Sequence, residues 1–508
     1  MPPEIKMLQG FGGTVNCSSP LIATDSFGNV YLAYSFSGDG TVTVGAETFP
    51  STASTSSIVL KLDISGNLLW TQHLGPLALC HQLAFDDSDN LLVTGYANDG
   101  ANIFGHSVSN GSPLSLFLTK VSPAGTRIWS KRVGSTSGAR GYSLSLDTEQ
   151  NIYVTGTYQG TLSISTVEGT VSLNSGAEAD TILLKYDADG TLLWLKEIAT
   201  GSSQPVRMVT DSAGDCFIAG TFTGNTVFGS TNLSITAFTG SFLAQTDGTG
   251  NVKSVYQISG TNNVTTFDLV QFHTPRGIQL IWGVNALGTA TFGSETSVGN
   301  GPNSPVIFSI SEVRETIEWA VVNRPQSSST VFGSRLFAAN GEILLAGQMQ
   351  GTTTFGATNV TSIGAGDAYL ASINSVDAWR WVIQGGSATG DSGTSIVVDQ
   401  NGAAYLAGTA RSGFSIADSS LGSFTQQRVF LAKFLYRDPP RLEIQLSDGF
   451  IRVQWPAIYT GFTLHDEELP NFRFLFPVST TPTLEGTNNV VTLPLQGSSK
   501  LFRLKQDD

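Results

Sequence analysis

The chain repeats itself, and the period constrains its fold more than any other feature. The stretch DSFGNVYLAYSF, residues 25–36, reads as a strand end, a tight turn and a new strand. DDSDNLLVTGYA and DTEQNIYVTGTY repeat it from Asp86 and Asp147. The residue near the end of each second strand is Tyr34, Gly95, Gly156, Gly220, Gly283, Gly347 and Gly408, at steps of 61, 61, 64, 63, 64 and 61. Nine residues before each anchor stand Asp25, Asp86, Asp147, Asp211, Thr274, Ala338 and Asp399. An Asp carboxylate accepts backbone N–H bonds across such a turn, and Gly or Asn tolerates positive φ there. Each copy therefore contains a hairpin.

A longer Gly/Thr-rich segment follows, often with an aromatic–Gly pair such as Phe104-Gly105, Phe228-Gly229, Phe292-Gly293 or Phe355-Gly356. A third strand comes next (SIVLKLD, LFLTKVS, TILLKYD), then a second tight turn. The fourth strand carries a Trp in most copies: Trp70, Trp129, Trp194, Trp319, and Trp379 or Trp381. Four short strands joined by hairpins make one antiparallel sheet of the propeller-blade type. A single such sheet cannot bury both faces, whereas seven set radially cover one another. The Trp then packs between blades, and truncating it to Ala costs roughly 3–5 kcal/mol.

The seventh copy ends at VFLAKFLYRDPP without a Trp-bearing fourth strand. EIKMLQGFGG at the N-terminus precedes the first copy as IWSKRVGSTSG precedes the third. Residues 5–8 are therefore expected to supply the missing strand and close the ring, which removes an exposed edge. The fold expected is all-β: a seven-bladed β-propeller of four-stranded antiparallel blades over residues 1–436, closed by the N-terminal strand. Asp438-Pro439-Pro440 breaks the pattern, so 437–440 reads as a linker. RLEIQLSDGFIRVQW then reads as a hairpin with DG at its turn. With Trp455, Phe462 and Phe502, residues 441–508 are expected to form a small β-sandwich-like domain.

DSFGNVYLAY, DTEQNIYVTGTY, DTILLKYD and GTLLW resemble the SBBP beta-propeller repeat of secreted and cell-surface bacterial proteins. The resemblance covers roughly residues 4–436. Copies one to four and seven fit, while copies five and six lack the turn Asp. It implies the propeller fold and an extracellular or cell-surface setting, and it brings no shared catalytic residues. The tail, from QLSDG through LFRL, is similar to a C-terminal module common on large secreted bacterial proteins.

Composition narrows the partners. Only 13% of residues are charged, about half the usual share. The net charge of −14 repels phosphate backbones, so nucleic acid is not an expected partner. No run of about 20 apolar residues spans a bilayer. The N-terminus MPPEIKMLQG has no apolar signal core, so the extracellular setting is inferred from composition and resemblance.

No GxSxG elbow, Walker loop or HExxH motif is present. The five histidines, His73, His81, His106, His273 and His465, show no metal-ligand spacing on one element. Asp86-Asp87-Ser88-Asp89-Asn90 and Asp187-Ala188-Asp189-Gly190 have the oxygens calcium prefers, but both fall on repeat turns where acids are expected anyway. No cofactor is expected, with calcium at these turns as the exception.

Four positions before the turn Asp, the innermost strand carries Leu21, Gln82, Ser143, Arg207 and Ser395. Arg207, Gln82 and Ser143 are the candidate binding residues, at the channel mouth. The competing reading pairs Arg207 with a neighbouring blade's carboxylate. Cys216 reads as a buried small hydrophobe. Cys17 and Cys80 enter adjacent blades at nearly equivalent points and are a candidate disulfide, which needs Cα atoms within about 7 Å. The expected function is a non-catalytic secreted or surface-displayed module that binds a protein or glycan through one face of the ring. The alternative is a carbohydrate-active or other hydrolytic propeller with carboxylates across the channel mouth.

Overall fold

A computed structural model describes residues 2–52, 54–75, 77–107, 111–274, 277–293, 295–298, 303–311, 316–320, 326–327, 330–339, 342–374, 379–399, 402–435, 442–447, 449–456, 462–468, 476–477, 480–485, 488–494 and 500–506. Among them every regular element is a β-strand. The chain divides into two compact bodies, Met1–Phe434 and Leu435–Asp508. The expected linker 437–440 lies outside the described residues.

In the larger body one antiparallel unit recurs. Repeat one pairs Asn16–Thr24, Val30–Ser37, Ser56–Leu62 and Leu68–Leu74 in that order. Repeats two to six do the same, beginning at Ala78, Gly138, Ser203, Val264 and Val331. Repeat seven pairs Ser392–Val398, Ala403–Ala410 and Arg428–Leu435, and its fourth strand is the N-terminal Glu4–Gly13.

The two middle strands explain why the unit cannot stand alone. Val30–Phe36 and Ser56–Leu62 are buried at every position, on both faces. Their alternate side chains therefore enter different cores. Leu32, Tyr34, Ile58 and Leu60 share a core with Tyr405 and Leu431 of repeat seven. Tyr31, Ala33 and Val59 share another with Leu91, Val93 and Phe117 of repeat two. The clusters between later repeats follow the same rule.

Both tight turns are built alike. Asp25 Oδ1 accepts the N–H of Phe27 at 3.1 Å and of Asn29 at 2.9 Å. Asp86 and Asp147 repeat the pattern in the first turn, and Asp63 and Asp247 in the second. The third residue after the Asp has positive φ, 79° at Gly28 and 64° at Gln150, hence the frequent Gly. The first-turn Asp also holds a third-strand lysine: Lys61 meets Asp25 at 3.1 Å and Lys120 meets Asp86 at 2.7 Å.

The Trp residues pack across repeats. A Cβ on Gly125, in the second turn of repeat two, would lie 2.9 Å from the Trp70 ring of repeat one. Gly190 meets Trp129 and Gly250 meets Trp194 in the same way. Trp70 Nε1 also donates to Pro123 O at 3.1 Å. The side chain of Trp319 lies outside the described residues.

The Gly/Thr-rich segment, whose structure the sequence left open, is a small hairpin that reaches back to the preceding repeat. Gly75 N donates to Asn102 O at 2.9 Å, and Thr136 N to Thr161 O at 2.9 Å. Phe228 pairs with Ala199, Ile416 with Gly385, and Val42 with Gly13 of the N-terminal strand. The aromatic–Gly pair closes the hairpin, with Phe104, Phe228, Phe292 and Phe355 buried.

The smaller body has two sheets. One orders Glu443–Ser447, Phe450–Pro456, Asn488–Pro494 and Thr483–Glu485, and the other pairs Phe462–Glu468 with Phe476–Pro477 and Lys500–Gln506. Ile451, Val453, Trp455 and Val491 of the first share a core with Leu464 of the second. The side chains of Phe462 and Phe502 lie outside the described residues.

Deleting residues 4–13 strips repeat seven of its fourth strand and uncovers the edge of Arg428–Leu435. The melting temperature of the full chain is expected to fall. An unchanged value in a thermal scan would show that this strand adds nothing.

Candidate functional site

Each first strand carries a β-bulge, and the bulge sets the site. In repeat two Cys80 pairs with Gly95 and Gln82 with Thr94, leaving His81 extra. Repeats three to seven each carry one extra residue in the same region. The backbone crowds the partner strand there. A Cβ on Gly95 would lie 1.9 Å from Leu79 O, and one on Gly408 2.0 Å from Ser392 O. That is why glycine recurs at the anchor. In repeat one two residues, Ser19 and Pro20, stand opposite Tyr34, again one extra residue on the first strand.

The residue just after each bulge is Leu21, Gln82, Ser143, Arg207, Asp268, Arg335 or Ser395. Residues from this level onward on all the first strands line one cavity of about 530 Å³, except that Ser143 is buried behind it and repeat three joins the lining from Leu144. Neighbouring strands are tied by a repeated bond. The side chain at this level accepts the backbone N–H that follows the same level in the next repeat. Leu144 N donates to Gln82 Oε1 at 3.0 Å, Met208 N to Ser143 Oγ at 2.9 Å, and Leu336 N to Asp268 Oδ2 at 2.7 Å. Ile22 N of repeat one donates to Ser395 Oγ of repeat seven at 3.1 Å. Arg207 has no acceptor, so Leu269 N turns to Asp268 Oδ1 at 3.0 Å.

Asp268 is 0% exposed. Its Oδ1 accepts from Arg207 Nε at 2.8 Å and lies 3.5 Å from Arg335 Nη1. Burial pushes the carboxyl above its ordinary range, against the pull of Arg207 and of the Leu336 and Leu269 N–H groups. At the bulge itself His81 packs against Tyr96 and Tyr142, each with ring centroids 5.1 Å away. Arg140 lies over the Tyr96 ring at 5.3 Å. Burial, helped by Arg140 and Arg207, pushes His81 down to about 4.

Gln82, Ser143 and Arg207 all stand at the level inferred from the sequence. Arg207 is paired with a neighbouring repeat's carboxylate. The sequence reading missed Asp268 and Arg335. Counting four back from the turn Asp fails where Thr274 and Ala338 replace it, because the true offsets there are six and three. The anchor glycines do not mark them either, since Asp268 pairs with Gly283 itself whereas Arg335 pairs with Ala346.

Cys17 and Cys80 are not joined, contrary to the candidate disulfide. Both are free and buried. Cys17 packs in the core shared by repeats seven and one, and Cys80 in the core shared by repeats one and two. The sheet of repeat one lies between the two cores, and burial pushes both thiols up to about 12. At the acidic turns, Asp86 is engaged by its turn and Lys120, and Asp89 accepts Ser26 N of the preceding turn at 2.8 Å. Among the described residues no three His, Cys, Asp or Glu side chains gather to hold a metal.

Known proteins carry the same repeat. Residues 128–157 match the SBBP beta-propeller repeat family. The match runs from the fourth strand of repeat two to the second strand of repeat three, so the SBBP sequence unit is offset from the sheet. An uncharacterized WD repeat-containing protein of Acanthamoeba polyphaga mimivirus is 27% identical over 218 residues, which is 36% of this chain and 16% of that relative. A protein of unknown function from Dyadobacter fermentans aligns over 86% of this chain and 100% of its own, with 11% identity and a TM-score of 0.39. One from Bacteroides caccae aligns over 64% and 89%, with 12% identity and a TM-score of 0.36.

Two outcomes test the site's electrostatics. Asp268→Asn leaves two guanidinium groups beside a neutral amide, and urea unfolding is expected to show a loss of about 3–5 kcal/mol. His81 has its folded pKa depressed below the unfolded value, so unfolding takes up a proton. Stability is expected to fall as pH drops from about 6.5 toward 4, and His81→Gln should flatten that limb in urea midpoints read across the window.

Proposed function

We propose that the SBBP repeats form one closed seven-bladed β-propeller that serves as a non-catalytic interaction module outside the cell or at its surface. The N-terminal strand is read as the fourth strand of the last blade, and residues 441–508 as a small β-sandwich-like domain after a linker at 437–440. Support for closure comes from the first strands, each of which contacts the next, the last meeting the first. The partner is read as a protein or glycan at the cell surface. It meets the face where the reaching hairpins gather, which exposes apolar tips such as Val167, 66% exposed. The similarity to a WD repeat-containing protein supports a repeat-built interaction surface.

One observation carries the non-catalytic reading. Hydrolysis of a glycosidic bond uses two carboxyl groups. Among the residues lining the cavity the one carboxylate is Asp268, and both its oxygens are engaged by Arg207 and backbone N–H groups.

The test sets the full chain on a glycan array and a surface-protein array, beside chromogenic glycosides at pH 4 to 8. Saturable binding without turnover is expected. Turnover that Asp268→Asn abolishes would favour the hydrolytic alternative.

A further inference from the structure

The Arg207–Asp268–Arg335 group holds one more positive charge than it can balance. Asp268 Oδ1 already accepts Arg207 Nε at 2.8 Å and Leu269 N at 3.0 Å, and Oδ2 accepts Leu336 N at 2.7 Å. Arg335 reaches this carboxylate only through Nη1, at 3.5 Å, although its side chain is 16% exposed. Beyond these contacts neither guanidinium makes a hydrogen bond to the described residues. Two cations and one anion leave a surplus of one positive charge. None of the guanidinium nitrogens of Arg207 and Arg335 is buried without a partner, so those not on Asp268 open to the cavity, where a surplus charge attracts an anion.

Both arginines line the cavity of about 530 Å³, within the range of small-molecule sites. Two residues further along the first strands the lining turns apolar. Val209, Val270, Phe337 and Val397 form most of this collar, Ala23 and Ala84 continue it, and Ser145 is its one polar member. A cavity with a cationic end and an apolar wall selects for a ligand with both features.

We propose that this cavity binds a small monocarboxylate with a compact apolar body. The carboxylate bridges the free guanidinium nitrogens of Arg207 and Arg335, and the body rests on Val209, Val270, Phe337 and Val397. A carboxylate suits the planar guanidinium fork. One negative charge matches the single surplus positive charge, whereas a phosphate dianion exceeds it. The collar offers few partners for the hydroxyls of a polyol. The inference goes beyond the surface role proposed above by adding a ligand in the cavity, and rests on that reading in one respect, that the Arg–Asp–Arg group holds a ligand and does not transform it.

The experiment titrates the full chain at pH 7 and low salt with hexanoate, benzoate, benzamide and inorganic phosphate, by calorimetry and thermal shift. Hexanoate and benzoate are expected to bind and raise the melting temperature, with benzamide and phosphate at least tenfold weaker. Arg335→Met keeps the stem, removes the surplus charge and should weaken both carboxylates at least tenfold. Val270→Phe fills the collar and should weaken hexanoate with both arginines intact, which keeps the test open if Arg335→Met does not fold. Equal binding of benzamide and benzoate, tighter binding of phosphate, no carboxylate binding, or full binding by the folded variants would each overturn the inference. These failures differ from failure of the broader reading, which shows as glycoside turnover or as no array partner for a chain that still binds hexanoate.

Discussion

A four-stranded sheet whose middle strands are apolar on both faces cannot be stable with either face in water. In this chain Val30–Phe36 and Ser56–Leu62 are buried throughout. Burying a large apolar side chain is worth about 1.5–3 kcal/mol, so the sum over two such strands outweighs other local preferences. Each repeat must therefore have a neighbour on both sides. The near-constant period supplies identical neighbours, and the N-terminal strand completes the sheet that would otherwise end early.

The inter-repeat contacts follow from that need. Fourth-strand Trp rings cover the second-turn glycine of the next repeat, and the reaching hairpins bond back to the repeat before. The turn Asp, a corner by its local bonds, is also the anion of a buried pair with a third-strand lysine. Asp25 thus joins the turn to the middle of its own sheet. Its role is structural, and the same in several repeats.

The bulge converts this scaffold into a site. One extra residue on the first strand presses a backbone carbonyl against the partner strand and brings the next side chain to the level where the strands are laced together. Where that side chain has an acceptor, it takes the N–H of the neighbouring strand. Arg207 has none, and the aspartate of the next strand takes over the bond. The charged group thus arises where the repeated lacing fails between repeats four and five, while Asp268 keeps the bond to repeat six.

All-β class, the repeat, its strand count and the partner of repeat seven's open sheet were legible in the residues, because period and turn chemistry are local. Gln82, Ser143 and Arg207 were legible because they keep a constant offset from a turn Asp. Asp268 and Arg335 were not, since repeats five and six lose that marker and the bulge shifts the count. The fates of Cys17 and Cys80 were not legible either. Equivalent sequence positions say nothing about which side of a sheet a thiol faces, and here a whole sheet separates them. The sequence by itself determined the repeating unit and the need for neighbours on both faces. Only the tertiary structure decided which charges meet, because Arg207, Asp268 and Arg335 lie about 60 to 70 residues apart and are joined by packing between successive sheets.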